Sequence, residues 1–173
     1  HIWDAMCATM LSTGARRGAM MATLRCDHPD IETFIDAKRD PAVLRHFNLS
    51  VQVSDAFMAA AADDADWPLV FPLHAGEAAG GPVVERCWSG SAAPVPCRVV
   101  RSVKARALWQ HILHAAYDTA EPGVLFVDQI NRENNLHDRE RLTATNPCGE
   151  IPLPPYGACD LGSLNLAVFV NSP

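Results

Sequence analysis

Short runs of strand character alternate along this chain with stretches of helical periodicity, and that order constrains the fold more than any other feature. Residues 19–26 form a largely apolar run, Phe47, Leu49, Val51 and Val53 alternate with Asn48, Ser50 and Gln52, and residues 124–127 form another short apolar run. A period of two predicts a half-buried strand, and short continuous apolar runs predict buried ones. Between the first two, Asp27-His28-Pro29-Asp30 is a helix-start signal: Pro29 suits a first turn, and Asp30 and Glu32 suit the positive end of a helix whose inner face is Ile31, Phe34 and Ile35. Ser54-Asp55 predicts the cap of a short helix over 56–62. Ala105, Leu108, Trp109, Ile112, Leu113, Ala116 and Tyr117 trace one apolar stripe, predicting a helix capped by Ser102 and ended by Glu121-Pro122-Gly123. Strands joined by helical crossovers imply an α/β fold with partly parallel strands.

Two regions depart from this rhythm. Ile2, Met6, Met10 and Leu11 predict a helix over residues 1–12, broken by Thr13-Gly14-Ala15-Arg16-Arg17-Gly18. Residues 63–99 are rich in Pro, Gly, Ala and Ser and read as a variable surface excursion with short hairpin strands. With 173 residues the chain has the length of one domain. It has no run of about 18 apolar residues to span a membrane and no basic-then-apolar secretion signal. Its net charge of -6 argues against a broad, sequence-independent nucleic-acid interface. The six cysteines stand singly, which reads as thiols of a cytoplasmic protein rather than a disulfide framework. The opening at His1 inside an apolar-periodic segment, and the end just after the apolar stretch 164–170, give the expectation of an internal piece of a longer protein.

The chemistry concentrates in Asn146-Pro147-Cys148-Gly149-Glu150, with Cys159 eleven residues beyond Cys148. In an extended backbone Asn146, Cys148 and Glu150 would share one side, offering an amide, an oxidisable sulfur and a base to one small substrate. A lone cysteine is more often a core residue. Pro147 and Gly149 argue against a core helix here, and the polar neighbours would be costly to bury idle. Cys159 reads either as a small core residue or as a redox thiol that the turn at 152–157 brings near Cys148, and spacing does not decide between them. Arg16-Arg17 could be a solvated pair or could grip phosphate or stack on a base. Cys87, Cys97 and His74 match no tight zinc spacing. Asp128, Asn131, Asn134 and Asn135 follow a strand end and read as a hydrogen-bonded loop rather than a site.

Taken together, TNPCGE and LPPYGACDLGSLNLA, with WDAMCATMLSTGARRGAMMATLRCDHPDIETFIDAKRD, FNLSVQVSDAFM and AEPGVLFVDQINRENNL in that order, resemble the class II, adenosylcobalamin-dependent ribonucleotide reductases. Only residues 63–99 are loosely covered. The resemblance implies part of a ten-stranded α/β barrel, incomplete in this chain. It implies reduction of ribonucleotides, leaning to diphosphates, with Asn146, Pro147, Cys148, Gly149 and Glu150 against the substrate. Cys148 would carry a thiyl radical generated from adenosylcobalamin and take the 3' hydrogen of the ribose. Glu150 would accept the 3'-hydroxyl proton, Asn146 would hold the substrate hydroxyls, and Cys159 would be half of the reducing dithiol. Thr13, Gly14, Arg16, Arg17 and Gly18 resemble the family's specificity loop, with Arg16 or Arg17 on the substrate base under the influence of dNTP or ATP effectors. The resemblance further implies a thioredoxin-like reductant and a homodimeric parent, with no metal site in this segment.

The departures are absences. Neither Cys7 nor Cys26 stands in the family's context for the partner of Cys159, and no cobalamin-binding residue is assignable. His137-Asp138-Arg139 is more charged than the resemblance leads one to expect. A class I large subunit, fed its radical by a separate metal-bearing subunit, is the nearest alternative. A non-catalytic nucleotide-binding remnant using Arg16-Arg17 is the alternative from another class.

Overall fold

The structure is a computed structural model that describes residues 2–10, 18–88, 90–91 and 93–170. The strand alternation read at 47–53 becomes β2 (Phe47–Val53), central in a three-stranded sheet between β1 (Met20–Arg25) and β6 (Gly123–Phe126). Both neighbours are parallel to it, Met20 opposite Phe47 and Ser50 opposite Gly123. The first crossover carries α2 (Ile31–Ile35). The second is long, running through α3 (Asp55–Ala62), a separate sheet and α4 (Ala105–Thr119).

Helix α3 begins where the sequence indicates. Ser54 takes the Phe57 N–H on its hydroxyl at 3.1 Å, a cap worth about 1 kcal/mol. The three helices cover one face of the parallel sheet, where Val51 and Val53 join Ile31, Ile35, Phe57, Leu108 and Ile112 in a single core. Glu121, just before β6, extends the ladder with a side chain: its carboxylate accepts the Leu49 N–H at 3.0 Å and the Lys38 ammonium at 2.7 Å.

The predicted excursion at 63–99 carries ordered structure. β3 (Asp66–Pro72), β4 (Val83–Arg86) and β5 (Val95–Lys104) form an antiparallel sheet with β5 in the middle. Pro68 and Pro72 lie on the edge strand β3, where a missing N–H costs no ladder bond. Trp67 and Leu69 of β3 belong to the same core as the parallel sheet. Ser102 does not cap α4. It pairs with Pro68 inside β5, which runs straight into the helix at Ala105.

The first helix spans α1 (Ile2–Met10). Its apolar positions Ile2, Met6 and Met10 are exposed and Cys7 is buried, with the backbone of Gly18 close enough that a Cβ there would sit 3.3 Å from Cys7 Cα. None of the sheets among the described residues closes into a barrel, and no described helix is long and apolar enough to cross a membrane.

Two buried positions give quantitative expectations. Burial pushes the Cys26 thiol up from 9.0 to about 12. Between those values the unfolded chain has released a proton that the folded one keeps, so stability falls as pH rises, by about 1.4 kcal/mol per unit, and is unaffected below the window. Denaturant titrations of the protein from pH 8 to 11 should therefore show a steeper alkaline loss than Cys26→Ala; parallel curves would contradict the assignment. At Gly123, a Cβ would meet Ser50 Oγ at 2.9 Å. Gly123→Ala should cost about 1–2 kcal/mol by overpacking, and adding Ser50→Ala should recover most of it, a coupling that independent sites would not show.

Candidate active site

The candidate residues sit on a hairpin. β7 (Ala144–Thr145) pairs antiparallel with β8 (Pro152–Leu153). The pairing is extended by Thr143 N–H to Leu153 O at 3.0 Å and Asn146 N–H to Ile151 O at 3.2 Å. At the tip, residues 146–149 close a β-turn, with the Gly149 N–H donating to Asn146 O at 3.0 Å and Gly149 at φ +86°. Asn first, Pro second and Gly fourth are the residues a type I turn favours. A type II turn would need positive φ at Cys148, but among described non-glycine residues positive φ falls on Leu44, Asp64, Ala120 and Tyr156.

This corrects the extended reading of 146–150. Pro147 and Gly149 favour reversal over extension, so Asn146 and Cys148 stand in a turn, with Glu150 just after it, and not along an alternating strand. Asn146 also helps hold the hairpin together. Its Oδ1 accepts the Ile151 N–H at 3.0 Å, while Thr145 Oγ1 donates to its backbone carbonyl at 2.9 Å. Its Nδ2 takes no part in these bonds. Cys148 and Glu150 are exposed, with no hydrogen bond or ion pair to any described residue.

The hairpin is anchored by side-chain amides. Asn48 Nδ2 donates to Pro147 O at 2.5 Å. Gln52 Nε2 donates to Thr143 O at 2.5 Å and Thr23 Oγ1 at 2.9 Å. Asn131, on α5 (Val127–Arg132), grips Leu142 twice: Nδ2 donates to its carbonyl and Oδ1 accepts its N–H, each at 2.9 Å. Sequence reasoning gave none of these a role at the site. The available signal was the polar alternation of β2, which places Asn48 and Gln52 on one face. Asp128 and Asn131, read from the sequence as part of a hydrogen-bonded loop, lie instead in helix α5, although they do make hydrogen bonds, to Asp55 and Leu142.

The remaining expected positions scatter. Cys159 lies beyond the turn closed by Gly157 N–H to Pro154 O at 3.0 Å, in an exposed segment without regular structure. It is a free thiol, as is Cys148, and no bond joins them. Thr13, Gly14, Arg16 and Arg17 lie outside the described residues; of that loop only Gly18 is described. Among the described residues no group of three or more His, Cys, Asp or Glu is placed to hold a metal.

A cavity of about 860 Å³ opens at the carboxyl ends of β1 and β2. On its wall the buried Asp27 carboxylate receives Arg25 at 2.8 and 2.7 Å and Arg86 at 3.3 Å, while Asp128 and Arg141 line it without an ion pair among the described residues. Burial opposes the Arg25 charge, yet the hydrogen bonds and charge of Asp27 raise its pKa. The guanidinium also lies over the Trp88 ring, 4.9 Å from its centre. Neither Cys148 nor Glu150 lines this cavity.

Known proteins are similar to this sequence over nearly its whole length. A "Vitamin B12-dependent ribonucleoside-diphosphate reductase" from Mycobacterium tuberculosis is 40% identical over 168 residues, covering 96% of this chain and 21% of its own length. A protein of the same description from Thermoplasma acidophilum is 36% identical over 170 residues, covering 98% of this chain and 19% of its own. A "Vitamin B12-dependent ribonucleotide reductase" from Streptomyces clavuligerus is 31% identical over 192 aligned positions, covering 97% and 18%. The chain thus spans about a fifth of the length of the curated relatives it matches. The family model described as "Ribonucleotide reductase, barrel domain" matches residues 1–173, and with that match the chain belongs to the ribonucleotide reductase barrel-domain family.

Proposed function

We propose that this chain is a segment of the catalytic subunit of a vitamin B12-dependent ribonucleotide reductase that converts ribonucleoside diphosphates to their 2'-deoxy forms. The observation that carries the reading is the exposed Cys148 thiol on a hairpin turn, flanked in sequence by Asn146 and Glu150, whose amide nitrogen and carboxylate have no partner among the described residues. That combination suits radical chemistry on a small polar substrate: a sulfur to carry the unpaired electron, a base next to the turn and a donor to orient hydroxyls. The names of the relatives favour the B12-dependent class and a diphosphate substrate.

Adenosylcobalamin would supply the one-electron oxidation of the sulfur. The described residues give it no cradle beside the sulfur, since Cys148 is not on the wall of the large cavity. The Cys148 thiyl takes the ribose 3' hydrogen. Glu150 accepts the 3'-hydroxyl proton, which eases departure of the 2'-hydroxyl as water. Asn146 Nδ2 holds the hydroxyls. Two thiols, Cys159 and a second cysteine, then give two electrons and two protons and end as a disulfide, while the 3' hydrogen returns from Cys148. The family resemblance, in whose context neither Cys7 nor Cys26 stands, assigns the second thiol to another part of the full-length protein; in this segment Cys7, Cys26 and Cys97 are buried and Cys87 is exposed.

The same reading places the three parallel strands in a ten-stranded barrel. Two features support it: the open edges of β1 and β6, and the exposed apolar side chains of α1 and of residues 161–170, which further strands and helices would cover. We assign 63–99 to a variable excursion from that barrel, and residues 13–18 to an effector-responsive loop contacting the substrate base. A thioredoxin-like reductant, a homodimeric parent and a cytoplasmic location complete the proposal.

The test uses the full-length reductase. It should reduce ribonucleoside diphosphates only when adenosylcobalamin is supplied, and Cys148→Ser should lower turnover by more than about a thousandfold while nucleotide binding, followed by calorimetry, persists. Cofactor-independent turnover would overturn the B12 assignment, and an active Cys148→Ser variant would remove the thiol from the reaction.

A further inference from the structure

We infer that Asn48 and Gln52, on the polar face of β2, are positioning residues that set the placement of the Cys148 turn. This rests on the functional reading above for its catalytic consequence, but its geometric content stands apart. Successive side chains of a strand point to opposite faces, so the odd positions Leu49, Val51 and Val53 are spent on the buried side and the even positions Asn48, Ser50 and Gln52 face the other way. Gln52 holds the carbonyl of Thr143 and Asn48 holds the carbonyl of Pro147, the residue bonded to Cys148. The strand number falls by four as the loop number rises by four. Residues 143–147 are therefore laid along β2 in the opposite direction, and pinned at both ends.

Among the described residues no other hydrogen bond fixes the outer pin. The hairpin ladder reaches Asn146 to Ile151, and the turn bond closes on Asn146 itself, so within the hairpin the Pro147 carbonyl has no partner of its own. Asn48 is exposed, and its amide is not needed for the core on the opposite face. Gln52 is held by Thr23 of β1, so the inner pin is referred to two adjacent strands and not to one flexible side chain. Asn131 adds a third amide at Leu142, where the chain enters the hairpin. A sulfur that abstracts a hydrogen atom must be held to about an ångström, and misplacement by that amount costs on the order of a hundredfold in rate. Carboxamides suit this role because they donate to carbonyls without adding a charge beside a radical and a catalytic carboxylate.

In the full-length protein, Asn48→Asp removes the donor at constant shape and sets carboxylate oxygen against carbonyl oxygen. Gln52→Leu removes the inner pin. Both variants should speed amide hydrogen exchange at Gly149 and Ile151 by about tenfold or more, leaving the denaturation midpoint of Asn48→Asp near that of the unaltered protein. Under the proposed function they should lower kcat by about 10- to 100-fold with KM for the nucleotide within about threefold, and Asn48→Gln, which keeps an amide donor, should recover most of kcat. Unchanged exchange in both variants would overturn the inference, as would loosened exchange with full kcat. If the unaltered protein proves not to reduce nucleotides, the functional reading fails alone, and the exchange measurement still decides whether these two amides hold the turn.

Discussion

Strand β2 has to satisfy two environments at once, and the rest of the structure follows from that constraint. Its odd residues are buried against helices that cross over to parallel neighbours, which demands branched apolar side chains. Its even residues face a hairpin with backbone carbonyls to satisfy, which demands amide donors. A one-residue slip in register would exchange the two sets, burying amides and exposing valines, so the pairing of β2 with β1 and β6 is strongly fixed. Gly123 is part of that fit, because Ser50 occupies the space a Cβ would need.

The second sheet is tied to the first by polar groups at the end of β1. Trp67 Nε1 donates to Cys26 O at 3.1 Å, and Val70 N donates to Asp27 O at 2.7 Å. The Asp27 side chain meanwhile draws together Arg25 from β1 and Arg86 from β4. A carboxylate this buried is tolerable because its oxygens are met by two guanidiniums; removal of either partner is the costly event for such a group, more than the pair itself is a gain. Around it Phe71, Trp88 and His28 pack edge to face or tilted. The segment least regular in sequence thereby becomes a wall of the core and of the large cavity.

What could be read in advance was whatever repeats with a local period. β2 matched its alternation over the full Phe47–Val53, α3 matched its cap, and the parallel order followed from the helical crossovers. The excursion resisted because its strands contain Pro68, Pro72 and Pro96 and pair across distance, so neither period nor propensity marks them. Ser102 carried a cap signal that lost to strand pairing with Pro68. At 146–149 the turn signature, Asn then Pro then Gly, stood in plain sight; alternation was the wrong template for it. The anchoring roles of Asn48, Gln52 and Asn131 depend on which loop returns over which strand, and no local pattern contains that.

Central to the proposed chemistry is a hairpin turn, held over the polar face of β2, that presents Cys148, Glu150 and Asn146 to a single ribose. The most direct measurement is a crystal structure of the full-length protein with a ribonucleoside diphosphate bound. The account predicts the ribose seated on residues 146–150, its 3' carbon about 3–3.5 Å from Cys148 Sγ, its 3'-hydroxyl on the Glu150 carboxylate, and the turn still bonded to Asn48. A ribose bound away from Cys148, or a turn opened into extended strand when substrate binds, would contradict it.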